Sequence, residues 1–475
     1  MPRTLRLLIL THHAGLPTGL AESTRLIFGT LLAEFPNEYE VWQVGLCSTH
    51  AVTTVPWPIF PTIMRRNSEG INELLLADLN GEITYPRVLA SVQPDIVFLF
   101  NDPQNIKHAC IPATERPHRL IAYVTCDAVP LPENYEFLRH VDRLFCMSQF
   151  GKDALIAACE QHQRREIKVV YSPADLSRFT PVSEAERQIL KSEVLGSKGV
   201  QNPFVIGWCG RNQWRKQIWA AYCVTKALRT GAYVVCDTCG CIPTIDFSAI
   251  CAMNGTSLSS HGEMQEWLLS ECPECGSRPL GRAEPQPGVV LYAHIPGDDA
   301  CSPWSRSELH RVFNIETDVD VYYTSDLLPT NGLKPADMAI VHGLCDVLLY
   351  LSGGEGFGLP AWEAMCSGVP VVYTDYSSHA EFLREAQAGL AVSGVLQPEP
   401  GSCTLRLIAD VRSAIRCLRG LICSPLKRQQ LGRSGRRYCE RYSTTNTARL
   451  WHSVFKELSH KHQSDVKYAV NVNSD

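Results

Sequence analysis

The stretch Asp95-Ile96-Val97-Phe98-Leu99-Phe100 is apolar at almost every position. A strand with one wet face alternates polar and apolar residues. A strand without that alternation is covered on both faces, the situation of a parallel sheet between layers of helix. Similar short runs recur at Leu5–Leu10, Val41–Leu46, Leu120–Thr125 and Leu144–Ser148, with helical stretches at Leu20–Phe35 and Lys152–Cys159. On the first of these helices, Glu22, Ser23 and Arg25 are expected to face outward. After Val169-Val170-Tyr171 come a polar helix, Glu184–Leu195, and the linker Gly196-Ser197-Lys198-Gly199. The alternation then restarts with strands at Phe204–Trp208, Gly288–His294, Val321–Thr324, Val347–Leu351 and Val369–Tyr373. This pattern predicts two doubly wound α/β halves. A length of 475 residues accommodates them, at ~100–200 residues per domain.

Hydrophobic residues make up 45% and charged residues 20% of the chain, a balance that excludes disorder as a description of the whole. The net charge of −5 gives no global basic field, so no nucleic-acid partner is expected. The apolar core of the N-terminus, Leu7–Leu10, is too short for a secretion signal, and no run approaches the ~18 apolar residues of a membrane helix. A cytoplasmic location is the expectation. A helix over Leu405–Leu421 would carry Leu405, Ile408, Val411, Ile415 and Leu418 on one face. The surrounding region Arg406–Arg441 is rich in cations. It reads as a solvated helix face, with peripheral membrane contact as the other reading. A last helix is expected over about 445–460, followed by a flexible tail, 461–475.

The most informative segment follows the strand at Val347–Leu351. Ser352-Gly353-Gly354-Glu355-Gly356-Phe357-Gly358-Leu359-Pro360 is a glycine-rich turn opening a helix, with Pro360 in the first turn, where its missing N–H costs nothing. Glycines let backbone amides approach a ligand, and the helix N-terminus behind them favours an anion such as phosphate. Glu355 in the turn and Glu363 about one turn into the helix can accept hydrogen bonds from two separated hydroxyls of one ligand. The bland alternative is a flexible βα turn with a glutamate complementing the helix dipole. Four glycines, a proline and two spaced carboxylates at the end of a parallel strand favour a ligand site.

Glu355-Gly-Phe-Gly-Leu-Pro-x-x-Glu363-Ala-x-x-x-Gly368-x-Pro370-Val371-Val372 resembles the paired-glutamate signature of glycosyltransferase family 4, retaining enzymes of GT-B fold that use nucleotide-sugar donors. Gly210-Arg211-Asn212-Gln213-Trp214-Arg215-Lys216 is similar to that family's Gly-Arg…Lys turn, and Val170–Pro181 to its interdomain segment, with Pro173 where glycine is usual. The resemblance implies two Rossmann-like domains facing a cleft: an acceptor domain over 1–180, completed by the last helix, and a nucleotide-sugar domain over 200–444. It implies that Arg211 and Lys216 hold the donor diphosphate, with Arg215 replacing Lys216 if the register shifts by one. Glu355 with the backbone of Gly356, Phe357, Gly358 and Leu359 would hold the sugar, and Glu363 the ribose. No catalytic metal is implied, and the departing phosphate itself would help deprotonate the acceptor.

In the first half, the loop His12–Leu20 stands where the family has a glycine-rich turn. Gly19 is a candidate for donor approach, while Thr18 suits a helix N-cap. His13 and Asp127 are candidates for contact with an acceptor whose identity the sequence does not reveal. Asp127 also reads as an N-cap or turn residue, and at most one of His12 and His13 faces a ligand. Two other readings of the whole remain open, a non-catalytic scaffold that binds protein or nucleic acid and a sugar-nucleotide epimerase.

Between 236 and 287 the βα alternation breaks. Cys236-Asp237-Thr238-Cys239-Gly240 and Cys272-Pro273-Glu274-Cys275-Gly276 form a Cys-x-x-Cys…Cys-x-x-Cys set. Four thiolates suit tetrahedral zinc, with Cys241 and Cys251 as substitute ligands and buried free thiols or a redox pair as the alternatives. Such a site has no open position, so zinc would be structural, clamping a zinc-ribbon-like insertion too small for its own core. Most other cysteines, such as Cys146, Cys223, Cys345 and Cys366, sit singly in apolar runs and read as small core residues.

Overall fold

The computed structural model describes residues 3–48, 55–68, 71–160, 166–196, 201–250, 271–278, 280–295, 302–327, 337–402 and 404–472. Linker residues 197–199 and Cys251 lie outside that set. The chain forms two compact units, Met1–Asp175 with Arg441–Asp475, and Leu176–Glu440.

The first unit is built on β1 (Leu5–His12), β2 (Tyr39–Leu46), β3 (Ile59–Pro61), an antiparallel hairpin of β4 (Ile63–Ser68) and β5 (Ile71–Ala77), β6 (Ile96–Asn101), β7 (Arg119–Val124), β8 (Arg143–Cys146) and β9 (Ile167–Val169). Seven of these strands form one sheet in the order β3-β2-β1-β6-β7-β8-β9, and every pairing in it is parallel. All of β6 is buried, as its unbroken apolar run requires. The helix Gly19–Glu34 starts where Thr18 Oγ1 accepts the Ala21 N–H at 3.3 Å. Glu22 and Ser23, expected on its outer side, are buried. Their polar atoms are satisfied internally: Ser23 shares a hydrogen bond with Ser172 at 2.8 Å, and Glu22 pairs with Arg25. Arg25 in turn donates to the Ala14 and Leu16 carbonyls and so fixes the loop after β1.

The C-terminal helix, Thr444–Val472, belongs to this unit. It continues through 461–472, where a flexible tail was expected; no glycine or proline interrupts it. Trp451 and Phe455 are fully buried. The Trp451 ring meets Phe98 at 4.9 Å, Phe145 at 4.8 Å and Tyr123 at 5.3 Å, all edge-on. Residues more than three hundred positions apart in sequence are thus joined by an aromatic core.

The second unit contains β10 (Phe204–Cys209), β11 (Val234–Cys236), β12 (Leu280–Arg282), β13 (Val289–His294), β14 (Val321–Tyr323), β15 (Val347–Tyr350), β16 (Val371–Thr374), β17 (Gly389–Val392), β18 (Gly394–Pro398) and β19 (Leu405–Ala409). Its main sheet has the order β14-β13-β10-β15-β16-β17, again all parallel. β11 and β12 form a separate antiparallel pair at the two ends of the cysteine-rich segment. The helix expected over Leu405–Leu421 is instead a strand, β19, followed by a helix, Val411–Ile422. β19 pairs antiparallel with β18, and Asp410 accepts the Arg412 N–H at 3.0 Å to start the helix. The apolar spacing that suggested one helix runs across both elements. Of the cations nearby, Arg412, Arg416, Lys427, Arg433, Arg437 and Arg441 are exposed, as a solvated face requires, while others are tied down. Arg406 pairs with Glu399 at 2.8 Å, Arg428 donates to the Leu421 carbonyl at 2.6 Å, and Arg436 donates to the Phe179 and Cys366 carbonyls at 2.5 and 2.8 Å. Among the described residues, no helix is long and apolar enough to cross a membrane.

Truncating Trp451 to Ala removes the ring that joins Phe98, Tyr123 and Phe145. We expect a loss of about 3–5 kcal/mol in the stability of the first unit, read as a lower urea midpoint at unchanged slope. An unchanged midpoint would mean that the C-terminal helix does not support this core.

Candidate functional site

In the second unit the chain runs from β10 outward to β13 and β14, then returns to the other side of β10 at β15 and continues to β16 and β17. The carboxyl ends of β10 and β15 therefore flank a topological switch point, where open α/β sheets leave a crevice. The loop after β10 carries Arg211, Arg215 and Lys216; the turn after β15 carries Gly353–Gly358.

The two loops are tied together. The Gly353 N–H donates to the Arg215 carbonyl at 2.6 Å, and the Arg215 guanidinium donates to the Gly354 carbonyl at 2.7 Å. Gln217 completes the junction by gripping one edge of β19. It donates to the Leu407 carbonyl at 2.7 Å and accepts the Ala409 N–H at 2.9 Å. The glycines have distinct reasons. A Cβ at Gly353 would lie 3.0 Å from the Leu407 carbonyl oxygen, and Gly358 has φ +106° with the His379 side chain 2.8 Å from where a Cβ would stand.

Glu355 is 6% exposed. Its carboxylate accepts Arg215 at 2.9 Å on one oxygen and pairs with Lys216 on the other. Burial works to raise its pKa, but the Lys216 and Arg215 charges outweigh it and hold the carboxyl well below the usual range. Burial lowers Lys216 to about 8, with Glu355 opposing the shift. Lys216 also lies over the Tyr350 ring at 5.6 Å. The Glu355 N–H donates to Ser377 Oγ at 2.8 Å, which fixes the turn from the helix Ser377–Ala386. His379, on the same helix, is fully buried; its Nε2 lies 3.1 Å from Thr374 Oγ1, and burial lowers its pKa to about 4. The imidazole is neutral at pH 7.

Glu363 sits on the helix Leu359–Cys366, which opens with Pro360. Its Oε2 is 3.2 Å from Nε2 of His342, a fully buried residue that packs edge-on against Phe179. Sequence reading named Arg215 only as a substitute and did not find His342, His379, Ser377 or Gln217. They come from elements outside the glycine-rich turn, Ser377 and His379 from one helix, and no local motif marks them. Arg211 is exposed in the loop after β10.

Of the first-unit candidates, His13 and Gly19 follow β1, beside that unit's own switch point between β1 and β6, and Asp127 follows β7. Gly19 is the first residue of its helix. His13 is fully buried, with Nδ1 accepting the Gly15 N–H at 3.0 Å and its ring under Gly45, so it is a core residue of the turn. His12 is the partly exposed member of the pair, with Nδ1 3.0 Å from Thr18 Oγ1. Asp127 is partly exposed beyond the end of β7, near the Thr125–Asp102 hydrogen bond. Cys236, Cys239, Cys272 and Cys275 come together in the second unit, with all four sulfurs within 4.8 Å of one another.

The architecture is a GT-B fold. It is similar to HepE from Anabaena, solved in complex with UDP and glucose, at 14% identity and a TM-score of 0.59 over 95% of this chain and 99% of that one. It is also similar to the sucrose-phosphate synthase of Thermosynechococcus elongatus, at 12% identity and a TM-score of 0.61 over 96% and 99% of the two chains. Residues 329–399, which include the glycine-rich turn and both glutamates, match the family model Glycosyl transferases group 1. A stretch of 114 residues is 34% identical to the MMP alpha-(1->4)-mannosyltransferase of Mycolicibacterium hassiacum. It covers 24% of this chain and spans about a quarter (25%) of the length of that relative.

The buried His379 makes a pH prediction. An unfolded histidine takes its proton near pH 6.5, the folded one near 4. Between those values the unfolded chain binds more protons, so stability falls as pH drops. At pH 5 the loss relative to pH 7 is about 2 kcal/mol. His294, lowered to about 4 by burial and by His342, acts in the same direction. Urea midpoints should be lower at pH 5 than at pH 7, with a smaller decrease in His379→Gln. An equal decrease in that variant would refute the assignment.

Proposed function

We propose that the protein is a retaining glycosyltransferase that moves a sugar from a nucleotide-diphosphate donor, bound at the β10–β15 crevice, to an acceptor hydroxyl. The observation that carries this reading is the pairing of Glu355 with Arg215 and Lys216 in a glycine-rich turn that leads into the helix bearing Glu363. A carboxylate held ionised by two cations is an acceptor for sugar hydroxyls, and its cations lie in the loop proposed to take the diphosphate. HepE, similar in fold, was solved with UDP and glucose, which supports a nucleotide-sugar donor.

In this reading Lys216 and Arg211 oppose the charge that develops on the departing diphosphate, with Arg215 beside them steadying Glu355 and the turn carbonyl. Glu355 and the backbone of Gly356–Leu359 hold the sugar. Glu363, oriented by His342, takes the ribose hydroxyls. Thr18 and Gly19 start a helix whose N-terminus favours an anionic group, and Asp127 stands on the acceptor side. No protein nucleophile enters the scheme: the departing phosphate takes the acceptor proton as the new glycosidic bond forms on the face that the leaving group vacates. A cytoplasmic location belongs to the same proposal.

A thermal-shift screen with UDP-, GDP- and ADP-sugars should show stabilisation by one base class, because ligand binding to the native state raises apparent stability. With the donor so identified, Lys216→Ala should lower turnover by roughly 10²-fold or more. Glu363→Gln should weaken binding of the free nucleotide, whereas Glu355→Gln should impair transfer while nucleotide still binds. Unchanged nucleotide affinity in Glu363→Gln would reverse the division of roles. Donor consumption without any acceptor, giving an isomerised sugar nucleotide, would replace the transferase reading with an epimerase. The anomer first formed, read by NMR, tests retention.

A further inference from the structure

The proposed transfer chemistry makes no use of the four clustered cysteines, yet the backbone around them is organised as two copies of one turn. The Cys236 N–H donates to the Cys241 carbonyl at 2.9 Å and the Gly240 N–H to the Cys236 carbonyl at 2.8 Å. The Cys272 N–H donates to the Ser277 carbonyl at 3.1 Å and the Gly276 N–H to the Cys272 carbonyl at 2.8 Å. Gly240 and Gly276 have φ of +70° and +68°, with nothing within 4 Å of where a Cβ would stand. Glycine is therefore needed for its conformation and not for space.

Sγ of Cys236 lies 3.7 Å from Sγ of Cys275, and Sγ of Cys239 lies 3.6 Å from Sγ of Cys272. Four sulfurs at ~2.3 Å from a tetrahedral centre stand about 3.8 Å apart. A disulfide requires about 2.0 Å. The spacing is that of a tetrahedron's edge. The apolar cluster around the site consists of Val234, Cys236, Cys241, Cys272 and Leu280, which is too small to hold a segment together by burial.

The helix Val411–Ile422 supplies a second, independent fit. Arg412, Arg416 and Arg419 recur at helical spacing along it. Arg416 pairs at 2.7 Å with Glu274, which lies between Cys272 and Cys275. Arg419 lies over the ring of Tyr233, just before β11, at 5.7 Å, and Arg412 reaches the Pro243 carbonyl at 3.5 Å. A divalent ion with four thiolates carries a net charge of about −2, and a row of guanidinium groups complements it.

We propose that Cys236, Cys239, Cys272 and Cys275 hold one structural zinc ion, and that Arg416 fastens this clasp to the helix Val411–Ile422 through Glu274. Cys241 is not a ligand. The clasp is independent of the donor assignment.

Protein purified under reducing conditions without chelator should contain about one zinc per chain by elemental analysis. Cobalt(II) exchanged into the wild-type protein should give thiolate charge-transfer and tetrahedral absorption bands. Cys272→Ser should lose the metal, and Cys241→Ser should retain it. Arg416→Ala should keep the zinc but speed amide exchange over 234–245 and 271–278 by roughly two- to fivefold, the worth of one partly exposed ion pair. Wild-type protein with little zinc, with one iron, or with disulfides among these cysteines overturns the site. So does full zinc in Cys272→Ser. Unchanged exchange in Arg416→Ala overturns the fastening.

Discussion

The second unit depends on one buried charge triad. Glu355 is held between Arg215 and Lys216 at the ends of two neighbouring parallel strands. A carboxylate this deep is tolerated only with opposite charges beside it, and removing one partner of such a pair costs about 3–5 kcal/mol. Its position follows from the backbone. Gly353 bonds to the Arg215 carbonyl, Gly358 turns through a conformation that disfavours side chains, and Ser377 fixes the Glu355 amide. The triad locks the β10 loop to the β15 turn and also gathers charge where a diphosphate and a sugar would bind. Structural and chemical demands thus fall on the same three side chains.

Around it lies a set of neutral, buried groups. His379 and Tyr350 pack edge-on at 5.3 Å; burial lowers the His379 pKa to about 4 and pushes the Tyr350 hydroxyl further up, so both are uncharged at pH 7. The charges in contact at the turn are those of Glu355, Lys216 and Arg215. Glu363 stands apart from this triad, against His342. The two glutamates have different partners, which suits contact with different parts of one ligand. The proposed cysteine clasp would make a comparable point for the insertion: where apolar area is scarce, a bound metal and the Arg416–Glu274 pair would supply order that burial does not.

The parallel strands were legible from the sequence because they are buried on both faces and read as unbroken apolar runs. Val97–Phe100 and Val347–Leu351 are examples. The glycine-rich turn and the cysteine pairs were legible because their geometry is local: a few residues at fixed spacing make the turn. Leu405–Leu421 was misread because periodicity alone does not show that residues 394–398 lie opposite as a pairing strand. Glu22 and Ser23 were misread because their burial depends on Arg25 and Ser172, and Ser172 is 149 positions away from Ser23.

By itself, the sequence determined the class of fold, the turn that carries Glu355 and Glu363, and the four-cysteine spacing, since each rests on neighbours along the chain. Only the tertiary structure decided that Arg215 joins Lys216 on Glu355, that His342 faces Glu363, and that His13 is core while His12 is partly exposed. It also decided that the C-terminal helix closes the first unit through Trp451. Those outcomes depend on which strand ends become neighbours in a sheet, and β10 lies beside β15 although more than a hundred residues separate them, with the intervening β13 and β14 on the other side of β10.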